Sequence, residues 1–416
     1  KRVRTIAIVV ILNLIAIVAA VYLAEAVFTY DAWWNGLGTG DRIKEAAIKA
    51  GGDWDVREKA QVIADLRKEG KDAFPTFAPS VYLDDNGIDY KGQKWFLFGG
   101  VSNTYNVFCQ EMGPWSVYLS DEHGFNNTKG LYDPDKLDVA IIGDSFAHGA
   151  CLPPGKDVAG LLRAGGYRAL NLGIGGTGPL IYLAVQREYV KPLRPKKVFW
   201  LFYAVDIRDV VYENVAPTLR RYYEDPNFSQ DLINRQPEVD TLLRSFLENE
   251  FEQRLQKLTT SRQERQKIVK ARLINEWLHL TRVQERIRQF GGRDTVYEGR
   301  EAQKLALVER VVGQARAEVQ SWGGEFIFVY LPDWYFYARE YDSYGIKIDS
   351  NFLLRQDVLK RVREMGIPVI DVQGEIFDKN PDPLSLYNWR MYGHYTPQGY
   401  KLIADRLLDY MRSQSK

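Results

Sequence analysis

From Asp138 onward, apolar runs of strand length alternate with amphipathic stretches. The runs are VAIIG (139–143), RALNLG (168–173), KVFWLFY (197–203), EFIFVYLP (325–332) and PVIDV (368–372). Each is nearly continuous in apolar residues rather than alternating, as a strand buried on both faces would be. Helical periods lie between them. The pattern predicts a parallel sheet with helices on both faces, a three-layer α/β/α domain over 136–416. Ligand sites in such sheets lie beyond the carboxyl ends of the strands. The alternation breaks at 237–292, which reads as long, basic helices, so a helical insertion is expected at about 230–300. Val269, Leu273, Trp277, Leu280, Val283 and Ile287 recur there at steps of three or four, forming one apolar stripe. Either this stripe packs on its own domain, or it caps the site or docks a partner.

Upstream the pattern differs. Residues 76–135 carry short, aromatic-rich alternating runs between turn signals, which predicts a small β-rich unit packed on the main domain. Residues 31–75 read as a linker with short polar helices, including DVREKAQVIADLRKEG. Thr5–Ala24 carries no charge. At ~1.5 Å per residue such a helix crosses a ~30 Å hydrocarbon core, so residues 1–30 read as one N-terminal transmembrane anchor. Lys1, Arg2 and Arg4 precede the run and Glu25 follows it. The positive-inside rule then keeps the N-terminus cytoplasmic and puts the main domain in the periplasm, on a bacterial inner membrane. Tyr30, Trp33 and Trp34 stand where an interfacial aromatic belt would lie. Asn13 is the one strongly polar interruption. Ala24–Ala26 has the small-x-small form of a signal cleavage site, but the apolar run is longer than a signal core and reads as an uncleaved anchor.

Composition narrows the chemistry. The 416 residues carry a formal net charge of +1, which leaves no general electrostatic footprint for nucleic acid. The two cysteines, Cys109 and Cys151, make neither a disulfide framework nor a metal cluster. They are either two buried thiols or one bridge in a domain outside the cytoplasm. No metal or organic cofactor is expected.

Three stretches carry candidate chemistry. Gly143-Asp144-Ser145 ends the first strand and opens a helix. Either Ser145 is a nucleophile whose surroundings favour an oxyanion, or Asp144 and Ser145 only cap the helix. NLGIGGTGPL (171–180) follows the next strand, and Gly173 there offers either a backbone N–H to the same oxyanion or a plain tight turn. Near the C-terminus, YGHYTPQGYKLIADRLLDYM places His394 just before a Thr-Pro helix start. A serine nucleophile needs a base, usually histidine. His279 lies in the insertion and His123 upstream of the sheet. His148 is three residues past Ser145 on the same helix and badly placed to reach its Oγ. His394 is therefore the candidate.

GDSF, NLGxGGxGP and GHYTPxGYxLIA, in this order, resemble the SGNH (GDSL-like) hydrolases. These are esterases and acyl or acetyl transferases on a flavodoxin-like sheet. YLSDEHGFNN is similar to the lead-in of membrane-anchored bacterial members. The resemblance covers roughly residues 90–230 and 320–412. It implies Ser145 as nucleophile, the backbone N–H groups of Ser145 and Gly173 as oxyanion donors, and His394 as base. Two departures stand out. The family's third block has an Asn as oxyanion donor, yet KVFWLFY runs into Ala204-Val205-Asp206-Ile207. The family often has an Asp two or three residues before the His, where this chain has Met391 and Tyr392. Asp371 and Asp206 are the candidates to orient His394 instead. The resemblance implies a membrane-anchored, extracytoplasmic serine esterase or O-acyltransferase acting on an acylated envelope glycan or lipid, weakened by the missing Asn. The alternative is a non-catalytic SGNH-fold subunit docked to a larger membrane complex.

Overall fold

The computed structural model describes residues 2–35, 39–251, 274–275, 277–280, 283, 295–338 and 354–414. The first element, α1 (Arg2–Asn35), includes Ile8–Val27, 20 residues of mean hydropathy 2.5. It is long and apolar enough to cross a membrane, a property shared by signal sequences. Asn13 Nδ2 donates to Val9 O one turn back at 2.7 Å, so its amide is satisfied within its own helix. The side chains of Tyr30, Trp33 and Trp34 lie outside the described residues.

Two short helices follow, α2 (Thr39–Lys49) and α3 (Lys59–Lys68). Strand β1 (Ala73–Pro75) falls inside the stretch expected to be linker. The hairpin β2 (Ile88–Tyr90) and β3 (Gln93–Trp95) turns on Lys91 and Gly92, at φ of 49° and 77°. Two consecutive positive φ values make the turn whose twist suits a two-residue hairpin. β1 pairs in parallel with β4 (Tyr105–Val107), which pairs antiparallel with β5 (Val117–Leu119). The β-rich unit therefore takes its first strand from the residues before position 76.

The main sheet is built from β6 (Val139–Gly143), β7 (Ala169–Gly173), β8 (Lys197–Tyr203), β9 (Glu325–Leu331) and β10 (Val369–Asp371). These match the five apolar runs to within a residue at each end. All pairings are parallel, in the order β7-β6-β8-β9-β10. That is the 2-1-3-4-5 order of flavodoxin-like folds, with the topological switch between the first and third strands. Every residue of β6 and β7 is buried, which is why their runs do not alternate.

Successive side chains nonetheless go to opposite layers. Ala140 and Ile142 pack in one core with Val308, Val311, Val312, Ala315 and Val319. These five lie on a 27-residue helix, Thr295–Ser321. Val139 and Ile141 pack in the other core with Ile403, Ala404, Leu407, Leu408 and Met411. Those lie on the terminal helix, Pro397–Ser413. Thr396 caps this helix by accepting from Gly399 N–H at 3.2 Å, with Pro397 in the first turn. The helices between β6 and the insertion are α4 (Ser145–His148), α5 (Val158–Ala164), α6 (Pro179–Val185), α7 (Asp206–Glu213), α8 (Pro217–Glu224) and α9 (Gln236–Phe246).

Most of the predicted insertion, including Val269, Leu273 and Ile287 of its stripe, lies outside the described residues. The described part touches the distal end of α1. Trp277 Nε1 donates to Tyr22 O at 3.3 Å, and their rings lie 5.2 Å apart. Val283 N–H donates to the buried Glu25 carboxylate at 2.6 Å.

Candidate active site

Ser145 sits where β6 ends, beside the switch between β6 and β8. Asp144 is the N-cap of α4, its carboxylate accepting from Phe146 N–H at 2.8 Å. The capping role thus falls to Asp144, and the Ser145 hydroxyl is left for something else. Its Oγ lies 2.8 Å from His394 Nε2. The two residues are 249 positions apart in sequence.

His394 is held by Glu111. One carboxylate oxygen, Oε1, lies 2.8 Å from the ring Nδ1, and the other, Oε2, accepts the His394 backbone N–H at 2.8 Å. Gly393 makes this grip possible, since a Cβ at that position would lie 2.9 Å from Glu111 Oε2. Behind the carboxylate, Trp389 Nε1 donates to Glu111 O at 2.6 Å. A two-residue bridge between Tyr387 and Tyr395 closes the turn that carries His394. The Tyr395 and Tyr387 hydroxyls both donate to Pro332 O, at 2.6 and 3.1 Å, tying that turn to the end of β9. Phe146 stacks on Tyr203 at 4.1 Å and lies 4.8 Å from the His394 ring, giving the base an apolar wall.

The charges follow from this packing. Burial alone would raise the Glu111 carboxyl, but the His394 charge and hydrogen bonds outweigh it and hold the group below the usual carboxylate range. Burial alone would lower His394, but the Glu111 charge and hydrogen bond raise it above the ordinary imidazole value. Burial pushes the Asp144 carboxyl up to about 7, against the opposing pull of Phe146 N–H and His394. His148 is buried between Phe108 and Tyr118, with ring centroids at 4.6 and 5.0 Å, and desolvation pushes it down to about 3. It is a neutral core side chain.

Gly173 departs from its expected part. Its N–H donates to Asn171 Oδ1 at 2.9 Å, so it is already committed. A Cβ there would lie 2.1 Å from His148 N, so this glycine lets β7 pass close beneath α4. The glycine beside the nucleophile is Gly175, whose Cβ position is 3.7 Å from Ser145 Cβ.

Neither predicted orienting acid reaches His394. Asp371 pairs with Arg355 and accepts Gly374 N–H. Asp206 accepts Tyr182 OH at 2.9 Å and Tyr203 N–H at 2.8 Å, bracing the end of β8. No Asn follows β8, whose end runs into Ala204-Val205-Asp206-Ile207. Glu111 was not identified from the sequence. The one signal pointing to it is cysteine spacing: Cys109 bonds to Cys151, with Cα atoms 5.0 Å apart. That bridge carries residue 111 toward residue 145. Glu111, Cys151 and His394 also place three donor atoms within 4.8 Å of one another. With Cys151 committed to the bridge, two are left, fewer than a zinc site takes from protein.

A flavodoxin-like α/β domain with a serine, a histidine and a carboxylate in one hydrogen-bonded row defines the class of site. No family model matches the chain, and no curated protein matches it. Solved structures do. One is a protein described as lipolytic, of the G-D-S-L family, from Desulfitobacterium hafniense DCB-2: 12% identity, TM-score 0.33, covering 64% of this chain and 95% of that one. LAE5, an alpha/beta hydrolase enzyme from the metagenome of Lake Arreo, is similar at 15% identity and TM-score 0.33, over 67% and 97%. A catalytic mutant of Axe2, an acetylxylan esterase from Geobacillus stearothermophilus, is similar at 14% identity and TM-score 0.32, over 67% and 95%. Likeness at this level describes those neighbours and assigns nothing to this chain.

Proposed function

We propose that the protein is a serine ester hydrolase or O-acyltransferase. The observation that carries this is the unbroken row Ser145 Oγ–His394 Nε2 and His394 Nδ1–Glu111 Oε1, each 2.8 Å. His394 takes the Ser145 proton as Oγ attacks an ester carbonyl. Glu111 fixes the ring tautomer and stabilises the imidazolium that forms. The tetrahedral oxyanion is met by the Ser145 N–H, which at the first helical position has no intrahelical partner, and by backbone N–H groups of the turn beginning at Gly175. Collapse expels the alcohol, which takes its proton from His394. Water or a sugar hydroxyl then attacks the acyl-serine, again with His394 as base.

The substrate in this reading is an O-acylated glycan or lipid of the cell envelope, and α1 anchors the enzyme with its main domain outside the cytoplasm. Lys1, Arg2 and Arg4 before the apolar run support this orientation. A disulfide also fits an oxidising compartment. The complete row of three side chains disfavours a purely structural subunit, for which only the missing Asn speaks. A fluorophosphonate probe tests the reading: it labels the wild type, and Ser145→Ala abolishes both labelling and p-nitrophenyl acetate hydrolysis. Absence of wild-type labelling, or labelling that survives the substitution, refutes it.

A further inference from the structure

We infer that the Cys109–Cys151 disulfide positions Glu111 against His394, so that reducing it turns the active site down. The inference rests on the acyl-transfer reading above. Cys109 is two residues before Glu111. Cys151 is six residues after Ser145, just past the left-handed cap Gly149 at φ 77°. The bridge is thus a covalent tie between the segment carrying the acid and the segment carrying the nucleophile. One of its sulfurs, on Cys151, lies within 4.8 Å of the facing donor atoms of Glu111 and His394.

The need for a tie comes from the topology. Ser145 and His394 are both set by the five-stranded sheet and its covering helix. Glu111 is not: it sits in the connection between β4 and β5, in the small three-stranded sheet. That connection is closed by Ser116 N–H to Cys109 O at 2.9 Å and by Asp55 N–H to Gly113 O at 3.1 Å. Among the described residues, two hydrogen bonds join it to the main domain apart from the grip on His394 and Asn388: Trp389 Nε1 to Glu111 O and Ser116 Oγ to Leu152 O. Misplacing a catalytic constellation by ~1 Å costs about 10²-fold in rate. Cys151 is buried while Cys109 is partly exposed, so an attacking thiolate meets the Cys109 sulfur first. The exchange is balanced by a dithiol: it is oxidised to its disulfide, and Cys109 and Cys151 each take up a proton and become thiols.

The test uses the full chain in detergent, as oxidised, dithiothreitol-reduced and reoxidised protein, with kcat/KM for p-nitrophenyl acetate read against pH. Reduction is expected to lower kcat/KM about 10–100-fold. It also moves the acid limb to lower pH, as Glu111→Gln does, and reoxidation restores both. In the Glu111→Gln background, reduction changes neither, because the group being positioned is gone. A Cys109→Ser/Cys151→Ser variant should match the reduced wild type; if it does not fold, the reversible reduction carries the test. Two results overturn the inference: a rate and limb indifferent to reduction, or an equal fall in wild type and Glu111→Gln with the limb unmoved. If Ser145 in the oxidised protein is not labelled by fluorophosphonate, the acyl-transfer reading falls and takes this one with it. Labelling of Ser145 with a redox-indifferent rate removes this inference alone.

Discussion

Glu111 holds His394 with both oxygens of one carboxylate, one on the ring nitrogen and one on the backbone N–H, each at 2.8 Å. A single contact would orient the ring. The double contact also fixes the backbone from which the ring projects, and so the approach of Nε2 to Ser145.

The first prediction concerns this pair. Glu111→Gln keeps the shape but removes the charge that raises His394. The base works neutral, so kcat/KM in the wild type rises as His394 loses its proton, at a pH above the ordinary imidazole value of 6.5. Without the Glu111 charge, burial is the dominant remaining influence and lowers His394. The acid limb therefore moves to lower pH while the plateau falls by about 10³–10⁴-fold. A pH–rate profile of the two proteins decides this.

Asp371→Asn provides the contrast. Asp371 pairs with Arg355 and accepts Gly374 N–H, away from the His394 ring. The substitution is expected to lower the denaturation midpoint and leave kcat and its pH dependence unchanged. An altered acid limb would show that Asp371 acts on the base after all.

Val205→Asn should increase the rate. Val205 directly precedes α7, just past the carboxyl end of β8, and is only partly buried. One oxyanion donor is worth about 10²–10³-fold in kcat when lost from a site built around it. Placed in a site not built around it, the amide is expected to raise kcat at least tenfold with little change in KM. An unchanged kcat would mean that the backbone donors suffice.

Removing the disulfide should also cost stability, separately from its effect on Glu111. Cys109 and Cys151 enclose a loop with a sequence separation of 42. Loop-closure entropy for that length predicts a loss of about 4 kcal/mol on reduction. Denaturant midpoints measured with and without dithiol check this.

The five strands were legible because burial on both faces leaves no freedom in composition: VAIIG and KVFWLFY have to be apolar throughout. Ser145 and His394 were legible because each sits at the junction of a strand or turn with a helix, where the local pattern changes. Glu111 has no such mark. It lies in an irregular connection of the accessory unit, 283 residues from His394, and only the neighbouring Cys109 in CQEMGPW hints at what it faces. Gly173 was misjudged for a related reason. Which glycine of NLGIGGTGP lies beside the nucleophile depends on how β7 passes under α4, and Asn171 Oδ1 takes the Gly173 N–H.

The sequence by itself determined the parallel sheet, the apolar helix at the front and two members of the row, since hydrophobic period and helix-start chemistry are local properties. Tertiary structure alone decided the third member, the pairing of the two cysteines and the partner of each predicted acid. Those are distances between segments far apart in the chain, and they are set by how the accessory sheet docks on the main one.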